Sequence, residues 1–261
     1  ITLDWTIVPK SEEDADDAPD GPGPDGTAPE AANLWDTAPE PTVRRLGKVN
    51  ILIVALHNEI IEQYRSVVSE LGLTAHFFEL EVFSTVRAVL EQGIEPVLIF
   101  DMGASLSKLY LVEHGVVKDS HMINRGAQDI TMALAQALSV AVSKAEALKQ
   151  QHGLSYRVND RPITEFLPLS LDLLFAEAKR MINRYQQKYH RVVSKVVLSG
   201  GGVILQGFLE LAKERLETEV VLAHPFGKLE TPAFLDEMLR VAGPEFAVAI
   251  GIGLRHLQEQ P

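Results

Sequence analysis

Between Pro96 and Gly126 the chain runs VLIFDMG, SKLYLVEHG and VVKDSHMINRG, three strand-like stretches parted only by glycine turns. Connections that short allow hairpins and no crossover, so the three must pair as an antiparallel meander. The texture then changes. Residues 127–153, AQDITMALAQALSVAVSKAEALKQQHG, carry a helical pattern that reads as two helices broken near Val140. In SLDLLFAEAKRMINRYQQKYH the residues Leu171, Leu174, Phe175, Ala178, Met181, Ile182 and Tyr185 share one stripe. SKVVLS reads as a buried strand running into three glycines, LQGFLELAKERLE as a helix and EVVLAHPF as a strand. GPEFAVAIGIGLRHLQ reads as a closing helix with Pro244 suited to its first turn. HPFGKLETPAF is a proline-punctuated loop. Three hairpin-linked strands, then helices, then strand, helix, strand, helix specify a mixed α/β unit.

Upstream the pattern is less uniform. ITLDWTIVPK begins without methionine and already alternates, with Ile1, Leu3, Trp5 and Ile7 on one side. Residues 11–42 hold ten of the 36 acidic residues, six of the 14 prolines and no Lys or Arg. So little aliphatic surface cannot repay the entropy of ordering, and the stretch reads as a disordered acidic loop, NLW at 33–35 being its one docking candidate. From Lys48 the run KVNILIVAL has the character of a buried strand. NEIIEQYRSVVSELG reads as a helix with Asn58 as N-cap and Gly72 as C-cap, LTAHFFELE as a strand, and VFSTVRAVLEQG as a helix closed by Gly93.

The charge balance excludes some functions. Of the net charge of −12, −10 lies in residues 11–42 and −2 elsewhere, so the chain has neither a nucleic-acid surface nor a polybasic membrane patch. Zero cysteines exclude disulfides, a thiol nucleophile and Cys-ligated zinc. No apolar run suits direct membrane insertion, which predicts a cytoplasmic chain. The eight histidines show no paired ligand spacing, and His57, His121 and His224 read as element-end residues.

Three features could carry chemistry. Asp101 ends an apolar strand and is followed by the turn DMGAS, so a carboxylate and outward N–H groups meet at one mouth of the fold. That composition suits phosphate oxygens and a Mg²⁺-bound water, although an Asp-x-Gly turn between strands is by itself more often just a turn. Gly200, Gly201 and Gly202 lie between a strand and a helix, where a flat ligand could approach the backbone. Glu146 and Lys149 stand at i, i+3 on one helix face, either a salt bridge or a pair of polar fingers for a ribose. Arg125 and Asp129 read as a local ion pair at a helix start.

VLIFDMGASLSKLYLVEHG, INRGAQDIT, AEALKQQHG, VVLSGGGVILQGFLELAKERL and GPEFAVAIGIGLR occur in the order seen in the superfamily of actin, hexokinase and heat-shock chaperones. More closely, from about Lys48 to Arg255 the chain resembles the PilM family, actin-like proteins of type IV pilus assembly related to FtsA. The resemblance implies an actin-like ATPase fold of ribonuclease-H-like units that binds ATP and Mg²⁺ in a cleft. Asp101, Gly103, Ala104, Ser105 and Ser107 match the second phosphate loop, with Lys108 where FtsA proteins usually have Asp and PilM proteins often Lys. Glu146 and Lys149 match the adenosine-side pair, Gly200, Gly201 and Gly202 the adenosine glycine motif, and Glu81 the acidic residue of the connecting segment. Asp101 and Glu81 are thereby the implied catalytic residues, Asp101 also the metal ligand.

A family chain carries a first phosphate loop upstream, and none precedes Asp101, so the fold is expected to be N-terminally incomplete. Residues 1–56 then belong to a small inserted subdomain, 57–95 to the rest of the first lobe with its connecting helix, and 96–261 to the nucleotide-binding lobe. The implied function is a scaffold at the inner-membrane face, at most a slow ATPase. It would bind the cytoplasmic tail of a PilN-like membrane protein and contact other pilus platform and motor proteins. A sugar-kinase-type phosphotransferase and an FtsA-like division protein are the open alternatives.

Overall fold

The structure is a computed structural model that describes residues 1–8, 50–91, 93–155, 157–158, 161–162 and 168–259. It divides into two compact units, Ile1–His76 and Phe77–Pro261. The acidic stretch 11–42, including NLW, lies outside the described residues.

The second unit is built on a five-stranded sheet. Strands β3 (Val97–Met102), β4 (Ser107–Glu113) and β5 (Val116–Ile123) form the expected antiparallel meander, and β8 (Lys195–Ser199) and β9 (Glu219–Leu222) continue it in parallel, in the order β5-β4-β3-β8-β9. Leu98, Phe100, Met102, Leu109 and Leu111 point to one face, against α3 (Ala127–Leu138), α5 (Pro168–Tyr189) and α6 (Phe208–Leu216). Ile99, Tyr110 and Val112 point to the other, against Val82, Val86 and Val89 of α2 (Glu81–Val89). With both faces covered, β3 has to be apolar at nearly every position, which explains the continuous VLIF. Between α3 and α4 (Val142–His152) the predicted break falls at Ser139, whose φ of 53° ends the first helix. Pro244 sits in a short 3₁₀ turn, Gly243–Phe246, that leads into α8 (Ala247–Glu259). Two minor strands, β6 (Arg157–Val158) and β7 (Arg161–Pro162), pair with each other, and α7 (Asp236–Ala242) follows a second 3₁₀ turn. Among the described residues, no helix is long and apolar enough to cross a membrane.

LTAHFFELE, expected as a strand, has no regular structure over residues 73–80, because among the described residues no neighbouring strand offers it a ladder. Its last residues act as anchors instead. Glu79, almost fully buried, takes a bidentate pair of bonds from Arg87 at 2.8 and 2.6 Å, a third from Ser84 at 2.5 Å and a fourth from Arg255 at 3.2 Å. Burial pushes its carboxyl up, but the bonds from Arg87 and Ser84 outweigh that and hold it below the usual range. The helix expected through Gly93 stops at Val89, with Leu90 extended, and its last carbonyls, those of Arg87 and Leu90, accept from Lys228 Nζ. His121 lies within β5 beside Glu177, not at an element end.

In the first unit β1 (Thr2–Val8) and β2 (Asn50–Leu56) form a two-stranded antiparallel sheet, followed by α1 (Asn58–Glu70). β2 was expected to be buried, yet Ile51 and Ile53 are exposed, since no second layer among the described residues of that unit covers them. The cap of α1 is His57; Asn58 begins the helix and accepts a bond from the Thr2 hydroxyl at 2.8 Å.

Candidate functional site

The parity of β3 answers why an apolar strand ends in an acid. Asp101 shares the face of Val97 and Ile99, and pairs across the sheet with Lys108 on β4 and with Ser199 on β8. At the strand tip that face meets the N-terminus of α2, where Glu81 forms an ion pair with Lys108. Asp101 is largely buried, and that burial raises its pKa above the ordinary value; Lys108 opposes the shift and Glu81 adds to it. The acid is therefore held where its own charge is poorly solvated.

The loop after β3 is fixed by backbone bonds. Gly103 N–H donates to Leu106 O at 3.0 Å, and the carbonyls of Gly103 and Ala104 accept the first N–H groups of α3, from Ala127 at 3.0 Å and Gln128 at 2.8 Å. The loop thus caps α3. Among the described residues no backbone acceptor takes the N–H of Ala104, Ser105 or Leu106. Gly126 permits this approach, since a Cβ there would lie 2.5 Å from Ala104 O. Ser107 departs from expectation. It is fully buried, and its hydroxyl donates to Arg125 O at 2.9 Å, so it ties the hairpin together. Arg125 and Asp129 form the expected local pair at 3.3 Å, and Asp129 also accepts Gly126 N–H at 2.8 Å.

The glycine turn after β8 packs directly on the end of β3. Gly202 N–H donates to Met102 O at 2.8 Å and Gly200 N–H to Pro244 O at 2.9 Å. Gly200 has φ +87°, and a Cβ on it would lie 2.5 Å from Met102 O; a Cβ on Gly202 would lie 2.5 Å from Met102 Cγ. Two of the three glycines are therefore required by the protein's own packing, apart from any ligand. Gly202→Ala should destabilise the unit by about 1–3 kcal/mol, read as a lower midpoint in urea unfolding.

Where the two loops meet there is a cavity of about 970 Å³, lined by Ala104, Gln128, Thr131, Gly201, Gly202 and Gln206 among others, with Glu146 and Lys149 of α4 on its wall. α4 is held against the glycine turn by Leu154 N–H donating to Gln206 O at 2.8 Å. Glu146 and Lys149 are 2.9 Å apart. Burial works against the Glu146 charge, but bonds from Lys149 and Thr131 prevail and hold its pKa below the usual range. Of the predicted residues, then, Ala104, Glu146, Lys149, Gly201 and Gly202 line the cavity. Asp101, Lys108 and Glu81 form a charged cluster at the β3–β4 tip, Gly103 and Gly200 shape the backbone between, and Ser105 is exposed on the loop. Sequence reasoning missed Thr131 and Glu245, both on the cavity wall. Thr131 had a signal, being a polar residue inside the apolar stripe of Ile130 and Leu134.

Residues 38–257 match the family described as type IV pilus assembly protein PilM. The chain belongs to the PilM family. Among solved structures it is similar to a PilM–PilN type IV pilus biogenesis complex, with a TM-score of 0.71 and 20% identity over 97% of this chain and 66% of that one. It is also similar to ADP-bound MreB5 of Spiroplasma citri, with a TM-score of 0.55 and 12% identity over 78% of this chain and 66% of that one. These likenesses show the actin-like fold that the family resemblance implies. The cell division protein FtsA of Enterococcus faecalis is 22% identical over 64% of this chain and 42% of its own length. For FtsA of Rhizobium meliloti the figures are 24%, 76% and 48%. The chain thus spans less than half the length of these FtsA relatives.

Proposed function

We propose that this chain is the nucleotide-binding part of a PilM-type scaffold that uses ATP as a conformational ligand in type IV pilus assembly, at the cytoplasmic face of the inner membrane. The supporting observation is the cavity between the β3–β4 loop and the glycine turn, both at the carboxyl end of β3 and its parallel neighbour β8. Its size suits a nucleotide. Its chemistry is graded in the same sense. Loop N–H groups at Ala104 and Ser105 suit phosphate oxygens, flat backbone at Gly201 and Gly202 suits the adenosine, and Glu146 offers an acceptor. Asp101 fits Mg²⁺ because its ionised form lacks solvation that a cation would supply, with Lys108 and Glu81 beside it. When bound, Mg²⁺ neutralises phosphate charge. Ser105 and Gly103 would contact phosphates, Lys108 would sit at their edge, and Glu81 would act with Asp101 on the attacking water; hydrolysis is slow at most.

The likeness to the PilM–PilN complex supports a PilN-like cytoplasmic tail as partner, with other pilus platform and motor proteins beyond it. A nucleotide alters such binding only by favouring one state over another. Titration of the chain with a PilN-like tail peptide, with and without MgATP, should show binding whose affinity depends on nucleotide. Transfer of phosphate from ATP to a sugar would contradict the scaffold and favour the kinase branch.

Asp101→Asn separates the two roles of that carboxylate. A raised pKa means that the folded state holds the proton more tightly than the unfolded one. Asp101 therefore favours folding at low pH, and that advantage is lost as pH rises through its raised pKa. Above that raised pKa, where the carboxylate is ionised, the burial cost is present, so asparagine should stabilise the ligand-free chain by about 0.5–2 kcal/mol while weakening Mg²⁺-dependent nucleotide binding. Calorimetric melting of both forms checks this. A lower melting temperature for the variant would make Asp101 a structural residue.

A further inference from the structure

Positive charge gathers on the second half of α5. Residues 179–195 hold Lys179, Arg180, Arg184, Lys188, Arg191 and Lys195, and no Asp or Glu occurs from 178 to 209. Arg180, Arg184 and Lys188 stand at i, i+4 and i+8 on the solvent face, steps of about 6 Å along the axis. Each makes one surface contact: Arg180 with Glu177 at 3.2 Å, Arg184 with Asp119 at 2.8 Å, and Lys188 with the Tyr189 ring, 4.7 Å from its centre. Such contacts are weak in water. The Arg180 and Arg184 side chains remain 69% and 55% exposed, and a guanidinium carries five donors, so both can take a second acid. The Arg184–Asp119 pair and the approach of His121 to Glu177 lay α5 alongside β5, the outermost strand of the sheet. Among the described residues no strand pairs with the outer edge of β5, and its Ser120, His121 and Met122 are exposed.

A free strand edge beside a row of cations suits an extended acidic peptide, which adds its backbone to the edge and its carboxylates to the row. Along an added strand the side chains of one side recur every second residue, so acids at i, i+2 and i+4 keep step with the cations to within about 1 Å each. This chain contains such a peptide. Residues 11–17 read SEEDADD, with Glu12, Asp14 and Asp16 at that spacing and no proline, Lys or Arg. We infer that residues 11–17 of one copy bind the β5 edge and the cations Arg180, Arg184 and Lys188 of a second copy, a head-to-tail contact between copies of this chain. The charges are complementary, five carboxylates in the peptide meeting three exposed cations. None of those cations lines the cavity, so the contact is separate from nucleotide binding.

Sedimentation velocity of the full chain tests it. Wild type should associate in low salt as its concentration is raised to about 1 mM, the weak end of specific affinity, and about 0.5 M salt should weaken the association several-fold by screening the charges. Arg180→Gln combined with Arg184→Gln should weaken it about three- to thirtyfold, the effect of two surface charge pairs. Glu12→Gln combined with Asp14→Asn and Asp16→Asn should do the same. Arg180→Lys with Arg184→Lys keeps the charge and should associate to within about threefold of wild type. An equimolar mixture of the two neutralised variants should associate again, because one supplies an intact row of cations and the other an intact acidic segment; that recovery also shows that both fold. Wild type that stays monomeric to about 1 mM, association indifferent to salt, neutralised variants that associate like wild type, or a mixture that fails to recover would each overturn the inference.

Discussion

Truncating Phe100 to alanine is expected to destabilise the second unit by about 3–5 kcal/mol, a large part of the stability of an ordinary domain. The ring is fully buried in the middle of β3, edge-on to Phe175 of α5 and Phe208 of α6, each at 6.2 Å, and those two rings stack on one another at 5.7 Å. Removing it deletes the keystone between the sheet and two helices. Neither helix can close the gap without moving α6, whose first turn follows the glycine turn of the site. Phe100→Leu, which keeps most of the volume, should cost well under half as much. Denaturant unfolding of the three forms gives the comparison; equal stability of wild type and Phe100→Ala would mean that this cluster is not the core.

Glu113→Ala carries the second large effect. Glu113 ends β4 with its carboxylate almost fully buried, accepting from the Tyr185 hydroxyl at 2.8 Å and from the Arg191 guanidinium at 2.5 Å, with Lys118 at 3.6 Å. Alanine would leave the Tyr185 hydroxyl without this acceptor and two cations facing each other. Breaking a buried pair costs about 3–5 kcal/mol, and because the Arg191 side chain is 34% exposed and can turn to water, the lower part of that range is expected. Glu113→Gln keeps the Tyr185 bond and should recover part of the loss. Thermal melts of the two variants decide it; indistinguishable melting temperatures would mean that the loss comes from the charge alone and that the Tyr185 hydrogen bond contributes nothing.

Most of the second unit was readable because its signals are local. Glycine turns force hairpins, a strand covered on both faces needs an unbroken apolar run, and the α3–α4 break needs only one left-handed residue at Ser139. Segment 73–80 misled because its apolar residues imitate a strand while no strand among the described residues pairs with it, a fact about tertiary pairing that no window of sequence contains. β2 misled for a related reason: ILIV is as apolar as a buried strand, yet among the described residues no layer of that unit covers Ile51 and Ile53. The site was legible as a set of positions and less so as a set of roles. Ser107 lies beside Gly103 in sequence, but strand parity turns it inward to Arg125. The glycine triplet suggested ligand approach, whereas Gly200 is hemmed in first by the Asp101 carboxylate and then by Met102 O, and Gly202 by Met102. The link from Thr131 to Glu146 and Lys149 depends on how α3 packs on α4, which helical periodicity does not encode.

A single nucleotide pocket formed by the loop after β3 and the glycine turn after β8 underlies the proposed function. Amide hydrogen exchange of the chain with and without MgATP tests it most directly. Nucleotide should slow exchange together at 103–106, at 200–206 and along 142–150, and Asp101→Asn should diminish the effect at all three. Protection confined to one of these segments, or none at any of them under saturating nucleotide, would contradict it.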